Sequence, residues 1–173
     1  MSALGILHLT TFLQGGAGRA IADLACAQHA AGHRVTVVTS DTGSGEFGNY
    51  PEYLARLRAA GVTLHACDSL FARDLSLNMR VVEMLRHAVP LDDIDVVHAH
   101  AAVPAFIGLT FARDAECPIP VVQTQHGWGI NKTAQQAAFD LQVLHDVAAV
   151  VTTSRATAQL LDGFGVPMSS IEV

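Results

Sequence analysis

The chain has 173 residues, half of them hydrophobic and 15% charged, with a formal net charge of −6. That length allows one domain with a sizeable core, while the acidic balance, with Lys132 the only lysine, excludes the clustered basic surface that nucleic acid requires. Three cysteines without paired spacing, Cys26, Cys67 and Cys117, argue against a disulfide framework or zinc knuckle and for a reducing, cytoplasmic setting.

A charged fraction below the roughly 25% of an average domain points to a sheet covered on both faces, or to a surface that meets another domain. The opening "MSALGILHLTTFL" is apolar but has neither a basic n-region nor a cleavage site, so it reads as a first strand and not a signal peptide. No apolar run reaches the ~18 residues of a membrane span.

Strands and helices then alternate. "LGILHL" (4–9) is the first predicted strand, and a helical stripe follows at Ala17, Ala20, Ile21, Leu24, Ala25 and Gln28, stopped by Gly32. "RVTVVTS" (34–40) has the continuous β-branched character of a buried parallel strand. After a turn-rich loop (41–52), "EYLARLRAA" predicts a short helix, "VTLHAC" (62–67) a strand and "LNMRVVEMLRHAV" (77–89) a helix ended by Pro90. "DVVHAH" (95–100), "PVVQTQ" (120–125) and "VAAVVTTS" (147–154) are the remaining strands, with helices at 103–115, 132–146 and from Arg155. This order predicts an α/β Rossmann-like fold: three layers, doubly wound, with a mainly parallel sheet and right-handed crossovers. Ligands of such sheets bind beyond the carboxyl ends of the strands. Gly15, Gly16, Asp41, His98, His100, His126 and Ser154 all fall at that edge.

Gly15 and Gly16 let the backbone approach an anion at a helix N-terminus, or they only turn the chain; spacing does not separate the two. "GGAGRA" is not the dinucleotide G-x-G-x-x-G, although Asp41 stands near where a ribose-binding acid is expected. His98 and His100 alternate along a strand and so face one side, but two ligands make no metal site, and no Cys, Asp or Glu pattern completes them. His126 follows an apolar strand in "TQHGWG" (124–129), beside Gly127, where it can donate a hydrogen bond to a sugar hydroxyl or a developing charge. Trp128 either stacks on a sugar ring or covers the core. The other histidines, His8 among them, read as structural or solvated, and Arg56, Arg58, Arg73, Arg80 and Arg86, interleaved with acids, as a solvated face.

Four stretches carry a resemblance: "GGAGRAIADLACAQHAAGHRVTVVTS", "DVVHAHAAVPAFIGL", "VVQTQHGWG" and "VVTTSRATAQLLDGFGVPMSSIEV". In this order and spacing the chain resembles the amino-terminal half of the retaining glycosyltransferases of family 4, which have the GT-B fold. The resemblance implies one domain over 1–173, with residues from about 166 leading into a carboxy-terminal domain that carries an acidic E-x(7)-E element. It implies transfer from a nucleotide-sugar donor to a sugar or lipid-linked acceptor, with no other cofactor and no metal. By the same resemblance, Gly15 and Gly16 would approach the donor phosphate and His126 would act at the transferred sugar. His98, His100, Gly127, Trp128, Ser154 and Arg155 would line the cleft. The chain stops at "SSIEV", before any second domain. It is therefore read as an excised domain, a truncated reading frame or half of a two-chain enzyme, inactive alone. A place in the cytoplasm, with peripheral contact at the inner membrane face, fits this reading. Two rivals remain at this stage: a nicotinamide-dependent oxidoreductase using Gly15–Gly18 and Asp41, and a non-catalytic binding module.

Overall fold

The β-branched runs become strands, and the segments between glycine and proline stops become helices. The computed structural model describes residues 2–41, 43, 45–129 and 131–173. Its elements are β1 (Gly5–Thr10), α1 (Gly15–Ala30), β2 (Arg34–Ser40), α2 (Pro51–Ala59), β3 (Thr63–Cys67) and α3 (Leu75–Ala88). They continue as β4 (Val96–Ala99), α4 (Ala102–Ala112), β5 (Val121–Gln125), α5 (Ala134–Asp146), β6 (Ala149–Thr152), α6 (Arg155–Gly163) and β7 (Ile171–Glu172). Among the described residues, seven strands form one sheet in the order β3-β2-β1-β4-β5-β6-β7, every pair parallel. None of their helices is long and apolar enough to cross a membrane.

Alternation along β1 divides the core. Leu7 and Leu9 join a cluster with Val97, Ala99, Ile107 and Phe111 on the α3–α4–α5 side. Ile6 joins Ile21, Ala25, Val35 and Val37 on the α1–α2 side. The central helix α4 is buried over most of its surface. A Cβ on Gly108 would lie 2.9 Å from Val97 Cγ1 and 3.3 Å from Leu9 Cδ1, so glycine lets α4 lie close on β1 and β4. On the α1 side the sheet is covered less fully: Val96, Val122 and Val151, facing that side of β4, β5 and β6, are only half-buried.

Two expectations change. The buried face of α1 is Gly18, Ile21, Ala22 and Ala25, whereas Ala20 and Leu24 are exposed. The cause is Gly18, whose added Cβ would lie 2.4 Å from the Leu13 carbonyl carbon; this close approach sets the rotation of the helix. The sheet also gains β7, where Ile171 and Glu172 pair with Val150 and Val151. Strand order reverses between β1 and β4, which places the fold's switch point there, with His8 in register with His98.

Candidate functional site

Four histidines from three strands and their ends meet at the switch point. His8 is fully buried in β1 and His100, just past β4, is 6% exposed. His98 in β4 and His126 just past β5 are partly buried. His8 Nδ1 lies 3.0 Å from His100 Nε2, and His8 Nε2 lies 2.7 Å from Gln28 Oε1 on α1. His100 Nδ1 lies 3.3 Å from His126 Nε2. His98 sits beside this line, its Nε2 2.7 Å from Thr124 Oγ1.

The environment holds these rings neutral near pH 7. Burial, then the neighbouring His8 and His126 imidazoles, push His98 down to about 3. Burial and the other three rings put His100 well below the usual histidine range. His8 is lowered by burial against an opposing hydrogen bond from Gln28, and His126 by burial. An imidazolium here would be stripped of water with no carboxylate to meet it. One ring nitrogen from each of His8, His98 and His100 lies within 4.8 Å of the others, and among the described residues no thiol or carboxylate joins the group.

His8 corrects the sequence reading, which left it without partners. Its contacts are to Gln28 and to His100, 92 positions away, and no local pattern connects residues so far apart. An apolar strand interrupted by one histidine, "ILHL", was the only available hint.

The double glycine opens α1. Gly15 has φ +57°, a left-handed conformation that favours glycine. Gln14 makes no side-chain cap, and the first intrahelical bond runs from Gly18 N–H to Gln14 O at 2.9 Å. The N–H groups of Gly15, Gly16 and Ala17 therefore have no partner within the helix, and a Cβ at Gly16 would meet nothing within 4 Å. The Gln14 side chain instead holds the loop after β2, donating to Glu46 O at 2.6 Å and accepting from Gly48 N–H at 3.3 Å. Asn49 adds a staple the sequence reading missed. Its Oδ1 accepts from Leu13 N–H (2.7 Å) and Thr39 Oγ1 (2.8 Å), and its Nδ2 donates to Ser40 O (2.6 Å). Thr42 and Ser44 of the predicted loop 41–52 lie outside the described residues.

Beyond β5, Gly127 is exposed and Trp128 is pinned. Phe164 lies against it at 5.0 Å between ring centroids, and Lys132 Nζ stands 3.6 Å over its ring. Trp128 thus covers the core edge. Lys132 Nζ also lies 2.7 Å from Asp140 Oδ2, and Arg73 grips both oxygens of the same buried carboxylate at 2.7 and 3.0 Å. Arg73 is therefore not part of a solvated face. Two cavities flank this triad. One of about 190 Å³ includes Thr11, Ala101, Gln125 and Trp128 in its wall, and one of about 380 Å³ includes Asn78, Phe106 and Phe139. Ser154 and Arg155 are exposed. Ser154 caps α6, accepting from Thr157 N–H at 3.2 Å, and it makes no bond to the histidines.

Solved structures share this architecture. A glycosyltransferase from Rickettsia africae ESF-5 aligns with a TM-score of 0.73 at 14% identity, covering 98% of this chain and 42% of that one. Anabaena Alr3699/HepE in complex with UDP and glucose aligns with a TM-score of 0.71 at 16% identity, covering 98% and 44%. A UDP-GlcNAc 2-epimerase from Neisseria meningitidis bound to UDP-GlcNAc aligns with a TM-score of 0.60 at 11% identity, covering 97% and 45%. The chain spans less than half the length of each, and because transferases and an epimerase share the fold, the likeness fixes the architecture alone. No curated protein matches the sequence. The description Glycosyltransferase Family 4 matches residues 14–173, which takes in the double glycine, both histidine motifs and the sixth strand. This chain belongs to Glycosyltransferase Family 4.

Proposed function

We propose that the chain is the amino-terminal, acceptor-side domain of a retaining glycosyltransferase that uses a nucleotide sugar, one domain over 1–173 facing a second across a cleft. One observation carries this reading: the open start of α1, the neutral histidine array and the Trp128–Lys132 cavity all lie at the carboxyl edge of the sheet, around the β1/β4 switch point. The free N–H groups of Gly15 and Gly16, with the positive end of the helix dipole, suit a donor diphosphate without a metal ion. His126 stands at the transferred sugar, with His98 and His100 behind it and Gly127 leaving room for the ring. The Anabaena neighbour holds UDP and glucose, so we take a nucleotide hexose as the donor class. Catalysis then rests on positioning and fixed dipoles and not on a nucleophile in this half.

The acceptor belongs beside Arg73 and Trp128. Phe47 and Phe71 in the loops after β2 and β3, and Leu75 at the start of α3, are exposed nearby, with the Phe47 and Phe71 rings 5.2 Å apart. An apolar edge of this kind supports a lipid-linked acceptor and peripheral contact at the inner membrane face. The half-buried Val96, Val122 and Val151 support a further packing partner for the α1 side of the sheet.

An amide NMR titration of the chain tests this. Millimolar UDP-glucose should shift Gly15, Gly16 and His126, while NAD should not. Shifts centred on Asp41 with NAD would favour the oxidoreductase. No response to either would favour a binding module.

A further inference from the structure

We infer that Gln28 fixes the tautomer of His126 through a three-histidine relay, so that His126 offers the cleft a bare nitrogen and selects a hydrogen-bond donor there. The argument is one of counting protons. The Gln28 carboxamide turns its Oε1 to His8 Nε2 at 2.7 Å, and a carbonyl oxygen only accepts, so His8 carries its proton on Nε2. A neutral imidazole has one N–H, which leaves His8 Nδ1 as an acceptor. The 3.0 Å contact to His100 Nε2 is then a bond donated by His100. His100 Nδ1 is in turn left bare, and the 3.3 Å contact to His126 Nε2 is donated by His126. The series ends at His126 Nδ1, which has no hydrogen-bond partner among the described residues. Each link is set by the one before it, and the direction comes from α1, on the far side of His8 from the cleft.

This reverses the sequence expectation, in which His126 donates. A bare Nδ1 accepts from a sugar hydroxyl but repels a phosphate or carboxylate oxygen. The two ends of a nucleotide-sugar donor are thereby sorted: anionic oxygens go to the free N–H groups of Gly15 and Gly16, and a hydroxyl presenting its proton goes to His126. Gln28 touches no substrate and is a positioning residue, half-buried on α1. The functional consequence rests on the glycosyltransferase reading. The relay itself does not.

Long-range ¹H–¹⁵N correlation spectra of the ligand-free chain at neutral pH read the tautomers directly. The expected result is a protonated, pyrrole-type Nε2 and a bare, pyridine-type Nδ1 on His8, His100 and His126 alike. A proton on His126 Nδ1 in the wild-type chain would overturn the proposal, with no variant needed. Gln28→Leu removes the acceptor, and the ¹⁵N signals of His126 should move toward the average of the two tautomers. Gln28→Glu retains an acceptor and should leave them in place. If Gln28→Leu folds, as judged by its methyl spectrum, and His126 does not move, the relay is refuted. Because no sugar nucleotide enters these measurements, failure of the relay and failure of the glycosyltransferase assignment are told apart by the titration with UDP-glucose.

Discussion

The two glycines of α1 that frame its first turn have different work. Gly16 has open space where a Cβ would go, whereas a Cβ on Gly18 would press into the Leu13 backbone. Gly16→Ala should therefore leave the unfolding free energy, read from urea denaturation, within about 0.5 kcal/mol of wild type, as surface changes do, yet weaken nucleotide binding by crowding the anion. Gly18→Ala should cost about 1–3 kcal/mol, the range for overpacking a close contact. Equal stability of the two variants would show that α1 can slide to make room. Adjacent glycines make Gly15 and Gly16 conspicuous in the sequence, whereas Gly18 enters there only as part of a rival cofactor loop, because the close backbone approach that requires it has no local signature. His8 was missed for the same reason: Gln28 and His100 are distant in sequence and meet it only once the sheet is formed.

At the scale of elements, the Arg73–Asp140–Lys132 triad ties the loop before α3 and the loop before α5 to α5 itself. Asp140→Asn would leave two cations facing a neutral amide in a largely buried place. The expected loss is about 3 kcal/mol, the low end for breaking a buried pair, because Arg73 and Lys132 keep some solvent. Chemical unfolding measures it, and a change below about 1 kcal/mol would reduce the triad to an ordinary surface ion pair. Most elements were legible because β-branched runs such as "RVTVVTS" and stops such as Gly32 act locally. β7 was not, since its Ile171 and Glu172 become a strand only by pairing with β6. Arg73 read as solvated for a similar reason, its carboxylate being 67 residues further on. The edge on which the site lies was legible from topology. The hydrogen bonds that organise it were not.

For the molecule as a whole, the histidine array sets an acid limit. His8, His98, His100 and His126 all titrate below their ordinary 6.5, His98 at about 3. Below 6.5 the unfolded chain binds protons that the folded chain refuses, so this stability is present above pH 6.5 and is lost as the pH falls toward each ring's lowered folded value. Each ring can contribute up to about 1.4 kcal/mol per pH unit in that window. Unfolding free energies from urea denaturation at pH 7.5 and 5.5, where carboxylates stay ionised, should differ by more than about 1 kcal/mol, the share of His98 alone, and a flat profile would contradict the buried, neutral state of the cluster. The strand order has a consequence in time as well. β1 takes β2 on one side early, but its other edge waits for β4, with Ile6 opposite Val96. At about 5–20 residues per second of synthesis, that edge stays unpaired for several seconds after β2 has emerged. Closing so long a loop is a slow, late event. The His8–His100 contact spans that same gap, so it cannot form until β4 has docked on β1, and its appearance marks the joining of β1 to the half of the sheet that β5, β6 and β7 then extend.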